Sequence, residues 1–269
     1  MRIYGVDFTS APRPAKPITV AHATLHGPAL RVEKIERLSD FDSFEAFLRR
    51  PGPWIGGFDF PFGLPREAVV ALGLPTEWRA MTQECRRRGK AEFRRRLDEL
   101  RESRMEGNRY AKRAGDSASG AHPAVKLVNP PVGLMFFEGS PRLAEAGLTV
   151  PRLALGDPAR IALEAYPGML IRKHLNILEP YKNDQKSRQS PEHRKARRKI
   201  VRAIKHGLPL DIRVKFGPSI EAAMIDDGSG DNLDAVLCAI QADWGCRQGA
   251  PAYGLPAGVD PVEGWIVSA

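Results

Sequence analysis

Two short apolar runs, Arg2 to Phe8 and Trp54 to Phe60, each carry one carboxylate among residues that otherwise favour burial. The first reads Gly5-Val6-Asp7-Phe8-Thr9-Ser10, the second Gly57-Phe58-Asp59-Phe60-Pro61-Phe62-Gly63-Leu64-Pro65. A buried, unpaired carboxylate costs several kcal/mol or takes up a proton. A fold for this chain therefore has to bring Asp7 and Asp59 a partner or a cation. The plainer alternative is that each caps a turn through nearby backbone amides.

A second acidic feature opens an apolar helix. In Asp231-Asn232-Leu233-Asp234-Ala235-Val236-Leu237-Cys238-Ala239 the two acids stand three apart and share a helix face. Carboxylates so close repel each other unless a cation lies between them. The competing explanation is capping, since Asp is a good N-cap and acids in a first turn complement the helix dipole.

The remaining pattern predicts an α/β chain. Arg2 to Phe8, Ile18 to Leu25 and Leu30 to Leu38 read as three antiparallel strands, the last two joined at the Gly27-Pro28 turn. Phe41 to Leu48 has helix periodicity after a cap at Ser39 or Asp40, and Trp54 to Phe60 is a fourth strand between Pro53 and Pro61. Residues 66–150 read as a helical insertion broken at Gly115 to Gly120 and at Pro130-Pro131. Arg160 to Tyr166 is the next strand, Pro167 to His174 a short helix, Pro191 to His206 a longer basic one, and Asn232 to Trp244 an apolar one. Strands, helix, strand, insertion, strand and terminal helices follow the order of a ribonuclease H-like fold, a mixed sheet flanked by helices, in one domain over residues 1–269.

The net charge of +9 points to an acidic partner, with nucleic acid first and an anionic membrane surface second. The excess sits in two helical segments. One runs from Arg86 to Arg113 and interleaves with Glu92, Asp98, Glu99 and Glu102, so a solvated face laced with i,i+4 pairs competes with nucleic-acid binding there. The other runs from Lys186 to Lys205 with few acids, and Arg194, Lys195, Arg197, Arg198 and Lys199 are its candidate phosphate contacts. No apolar stretch approaches the length of a membrane span, and the N-terminus lacks a secretory pattern, so a cytoplasmic protein is expected. Three cysteines without C-x-x-C pairing argue against a disulfide framework or a thiolate zinc site. Histidine zinc motifs and a G-x-x-x-x-G-K-[ST] phosphate loop are missing as well.

Several short segments, taken in order, resemble the DUF429 family, regarded as a family of predicted nucleases with a ribonuclease H-like fold. They are Gly5-Val6-Asp7, Asp59-Phe60-Pro61-Phe62-Gly63-Leu64-Pro65, Asn129-Pro130-Pro131-Val132-Gly133, Glu164-Ala165-Tyr166-Pro167, Asp231-Asn232-Leu233-Asp234-Ala235 and Glu263-Gly264-Trp265-Ile266. The arrangement is also similar to the RuvC-type branch of that fold. There a first-strand Asp, a fourth-strand acid and two helix acids three apart bind two metal ions. Asp7, Asp59, Asp231 and Asp234 match those roles by position. This chain has Asp where RuvC-type resolvases carry Glu, and the resemblance leaves Glu164 either to make up the shorter reach or only to fix the Tyr166-Pro167 turn.

What the resemblance implies is a metal-dependent nuclease. Oxygen-only ligands favour Mg²⁺ or Mn²⁺ over zinc. Two further functions compete. An actin-like or sugar-kinase-like phosphotransferase also opens with a strand, an Asp and a Thr/Ser turn, but Asp7-Phe8-Thr9-Ser10 lacks the expected glycine and no second copy of the fold is visible. The other is a catalytically inactive nucleic-acid-binding protein that keeps the acids for structure.

Overall fold

The computed structural model describes residues 1–269. The three N-terminal runs form β1 (Arg2–Asp7), β2 (Ile18–His26) and β3 (Ala29–Leu38), each antiparallel to the next. Helix α1 (Phe41–Leu48) starts at Asp40, whose carboxylate accepts from the Ser43 amide at 2.7 Å, and it buries Phe44, Phe47 and Leu48. The chain then returns as β4 (Trp54–Asp59), parallel to β1 on the side away from β2. That return sets the ends of β1 and β4 next to each other.

Between β4 and the next long strand the chain forms α2 (Arg66–Ala71), α3 (Trp78–Arg88), α4 (Lys90–Glu102), α5 (Ala114–Ser119) and α6 (Val132–Glu145). A two-residue β5 (Leu148–Thr149) and β6 (Asp157–Glu164) follow, with β6 parallel to β4. Helix α7 (Pro167–Met169) continues into a wider π-helical turn over Leu170–His174. An irregular stretch leads to α8 (Pro191–Lys205), β7 (Arg213–Lys215), α9 (Pro218–Asp226) and α10 (Asp231–Gln248). The seven strands lie in the order β5-β6-β4-β1-β2-β3-β7. No helix is long and apolar enough to cross a membrane.

Each face of the sheet carries its own core. Tyr4, Val6, Phe58 and Ala162 pack with α1 and with residues of the helices between β4 and β6, including Trp78, Phe93 and Phe136. Ile3, Ile55, Ile161 and Leu163 face the opposite way and pack with α8 and α10. Helix α10 is buried on nearly every side, which explains why its sequence is apolar without a stripe. It lies against β1, β2 and β4. Its close approach needs Gly5 and Gly57: a Cβ on Gly5 would run into the Ala235 carbonyl and the Ala239 amide, and one on Gly57 into the Cys238 carbonyl. Three elements escape the sequence reading. Strands β5 and β7 are too short to show alternation, and α9 buries only Met224.

Candidate active site at the ends of β1 and β4

Side chains alternate along a strand, so Asp7 lies on the same face as Ile3 and Gly5, and Asp59 on the same face as Ile55 and Gly57. Both acids therefore face α10. They are direct partners in the β1–β4 register. The first turn of α10 supplies Asp231 and Asp234, both buried. All four acids line one cleft of about 650 Å³.

Their mutual effect is visible in their acidity. Burial holds the Asp7 carboxyl well above the usual range, and Asp231, Asp234 and Asp59 add to the rise against the opposing charge of Lys182. Burial also pushes Asp59 up to about 7, opposed by Lys182 and reinforced by Asp234 and Glu164. Asp234 is raised by burial despite contacts that favour its charged form. Neither Asp7 nor Asp59 accepts a hydrogen bond from any group of the chain; burial and neighbouring charges act on them instead.

The helix acids do not cap α10. Gly230 occupies the cap position, and the Asp227 carboxylate takes the Asn232 amide at 2.9 Å. Asp234 instead accepts from the Tyr181 hydroxyl at 2.7 Å and pairs with the Lys182 ammonium. Asp231 pairs with Lys16 at 2.8 Å, and Lys16 also reaches the exposed Asp184 at 2.8 Å. No three of these acids surround a common point closely enough to form a metal cage as they stand.

Glu164 lines the same cleft, but its carboxylate is turned away from the four Asp side chains. It is one residue out of phase on β6, opposite Phe58, and so projects from the other face of the sheet. There Arg113 grips both of its oxygens at 2.6 and 2.8 Å, and the Phe62 amide donates to it at 2.9 Å. Arg113 also holds Asp116 at 2.7 Å and the Glu263 carbonyl at 2.9 Å. Glu164 thus joins β6, the Phe62 turn and the C-terminal segment in place of either role expected for it. Burial pushes its carboxyl above the usual range, with Arg113 and the Phe62 amide opposing.

The family described as "Protein of unknown function (DUF429)" matches residues 5–253, a span that includes every acid of the cleft. The chain belongs to the DUF429 family. No curated protein and no solved structure matches it.

In this DUF429 protein the basic residues expected on nucleic acid are divided. Arg197 is corrected outright: it is only 3% exposed, and its guanidinium donates to the Ile225 and Tyr181 carbonyls at 2.8 and 2.6 Å. It falls on the packed face of α8 with Ala196, Ile200 and Ile204. Arg194 pairs with Asp226 at 2.5 Å and Lys199 with Glu179 at 3.4 Å, while Lys195 and Arg198 are exposed. None of the five lines the cleft. In the earlier basic segment, Arg87 and Arg88 pair with Glu84, and Arg101 with Asp98, as a solvated face would.

The cleft's own cations are Lys16, Arg113, Arg172, Lys182 and Arg188. The sequence reading did not single out Lys16, Tyr181, Lys182 or Asp184. Lys16 lies in a proline-rich loop and the others in the irregular stretch before α8, where no periodicity marks them. The one available signal was the polar run Tyr181-Lys182-Asn183-Asp184 between two helices.

Proposed function

We propose that this DUF429 protein is a metal-dependent nuclease that hydrolyses phosphodiester bonds on a ribonuclease H-like core. Asp7, Asp59, Asp231 and Asp234 would hold Mg²⁺ or Mn²⁺. The observation that carries the reading is the pair Asp7 and Asp59, side by side in register and facing the cleft without a hydrogen-bond donor from the chain. Such carboxylates call for a cation, and an all-oxygen donor set suits a hard one. The sheet supports the fold assignment: β3-β2-β1-β4-β6 is a mixed core in which only β2 runs against the others.

A bound divalent cation supplies an activated water and charge stabilisation at the leaving oxygen. In the hydrolysis, the water oxygen bonds to phosphorus, a P–O ester bond breaks, and the leaving oxygen ends protonated. The chain's part is to hold and orient. Asp7 and Asp59 would hold the cation from the sheet, and Asp231 and Asp234 from α10, once the acids draw together around it. Arg172 and Arg188 line the same cleft and offer charged donors to phosphate oxygens. Lys195 and Arg198 on the exposed side of α8 extend the cationic surface toward a polymeric substrate.

The test is cleavage of labelled single-stranded and duplex DNA and RNA, with Mn²⁺ or with chelator, by the parent and by Asp7→Asn. Cleavage by the parent with Mn²⁺ alone is expected. No cleavage of any substrate, or equal cleavage with chelator, would contradict the reading.

A further inference from the structure

The cations that line the cleft are not equivalent. Lys16 pairs with Asp231 and Asp184, Lys182 with Asp234, and Arg113 with Glu164 and Asp116. Arg172 and Arg188 line the same cleft and pair with no carboxylate. Their charge is free to meet an anion from outside.

Arg172 is also fixed in place. Its guanidinium donates to the Tyr166 hydroxyl at 2.8 Å and to the Gly120 carbonyl at 3.2 Å, and it lies over the Tyr166 ring at 5.3 Å from the ring centre. Gly168 makes room for this pair, since a Cβ there would stand 2.9 Å from the Arg172 guanidinium and 3.0 Å from the Tyr166 phenol. The Tyr166 amide is in turn held by the Gln241 side chain of α10 at 2.8 Å.

The same cleft has an apolar part. Pro130, Pro131, Val132 and Met135 line it at the start of α6, and all but the exposed Pro130 are half-buried. Phosphate gains nothing from such a surface. In a duplex the bases are stacked and paired, so a protein meets phosphates and groove edges. An unpaired base offers a flat apolar face that stacks on aromatic rings and guanidinium planes. Enclosure leads to the same place: Asp7, Asp231 and Asp234 are no more than 8% exposed, and a cleft of about 650 Å³ is of a size that encloses a small molecule. A nucleotide unit fits such a space, and a double helix does not.

Resting on the nuclease reading above, we propose that the substrate is single-stranded nucleic acid, with an unpaired base held against Tyr166, Arg172 and the apolar residues Pro131, Val132 and Met135. The guanidinium of Arg172 meets a base with its face and a phosphate with its edge. Lys195 and Arg198, outside the cleft, act on the backbone of either form.

The test is fluorescence anisotropy of the full chain, in chelator and again in Ca²⁺, with labelled single strands of DNA and RNA, the duplex of each, and each single strand carrying an abasic site at its centre. The parent is expected to bind the intact single strand at least about fivefold tighter than the abasic one, the effect of stacking one base, and tighter than the duplex. Tyr166→Leu should bind the intact and abasic strands alike. Val132→Asp, in the first turn of α6 where an acid suits the helix dipole, should bring single-strand binding down toward that of the duplex. Duplex bound as tightly as the single strand, and cleaved as fast with Mn²⁺, would overturn the inference and leave the nuclease reading standing. Equal binding of intact and abasic strands by the parent, parent-like preferences in both variants, or no binding of any probe would overturn it as well. The expected ranking without cleavage of any probe in Mn²⁺ would uphold a single-strand cleft and sink the nuclease reading. If Tyr166→Leu fails to fold, the parent and Val132→Asp still decide.

Discussion

Asp7 and Asp59 are direct register partners on adjacent parallel strands, and both face the first turn of α10. The chain brings them no hydrogen-bond donor. Two like charges in register on a sheet are unfavourable, so the arrangement stores repulsion that a cation or a proton relieves.

That repulsion gives stability a pH dependence of known sign. The Asp59 carboxyl titrates at about 7 when folded against 3.8 for an ordinary Asp, so between those values the folded chain holds a proton that the unfolded chain lacks. Its contribution is fully present below about pH 4 and is lost as pH rises to about 7. In chelator, Asp59→Asn should therefore melt with the parent near pH 4 and above it near pH 8. Water in the cleft reduces the difference to about 1–2 kcal/mol. Parallel melting curves for the two proteins across this range would contradict it.

Gly5 and Gly57 set how closely α10 approaches the sheet. Gly5→Ala places a methyl group against the Ala235 carbonyl, and overpacking of this kind costs about 1–3 kcal/mol. We expect lower stability to denaturant together with a weaker melting response to Mn²⁺, because Asp231 and Asp234 move with the helix. A destabilised variant with a parent-like Mn²⁺ response would separate the helix position from the site.

Arg113 neutralises two buried acids, Glu164 and Asp116. Arg113→Met strands both, and breaking a buried pair from one side costs about 3–5 kcal/mol. Glu164→Gln should also lose stability in urea while keeping any Mn²⁺ response, because Glu164 projects from the opposite face of the sheet from Asp7 and Asp59. Loss of the metal response in a folded Glu164→Gln would return Glu164 to the ligand set.

The two sides of α8 should behave differently. Arg197→Ala loses donors to two carbonyls and is expected to lower stability with little change in the salt dependence of nucleic-acid binding. Lys195→Ala and Arg198→Ala should leave stability within about 0.5 kcal/mol. Each should flatten the log–log salt slope on duplex DNA by about 0.9 per lost phosphate contact. Unchanged slopes would confine binding to the cleft.

The elements legible in the sequence were those with a clear period or a long apolar run. The strands carrying Asp7 and Asp59 announce themselves through branched and aromatic residues, and α10 through length and apolarity. The four acids were legible because a carboxylate in an apolar run has few structural explanations. Arg113 and Arg197 were not, because within an arginine-rich run a buried guanidinium looks like its solvated neighbours until the partners are known. Lys16 and Lys182 reach the site from irregular segments, and their contacts with Asp231 and Asp234 span 215 and 52 residues of sequence. No local pattern encodes a contact of that kind.

The most direct measurement of the central claim is the melting temperature of the chelator-stripped protein as Mn²⁺ is added, for the parent, Asp7→Asn and Asp59→Asn. A ligand at a hundred times its Kd adds about 2.7 kcal/mol to the folded state, a shift of several degrees for a chain of this size. The parent should show that rise at millimolar Mn²⁺, and each variant should lose most of it while melting no lower than the parent in chelator at pH 8. A parent that does not respond, or variants that respond as the parent does, would contradict a metal site at Asp7 and Asp59.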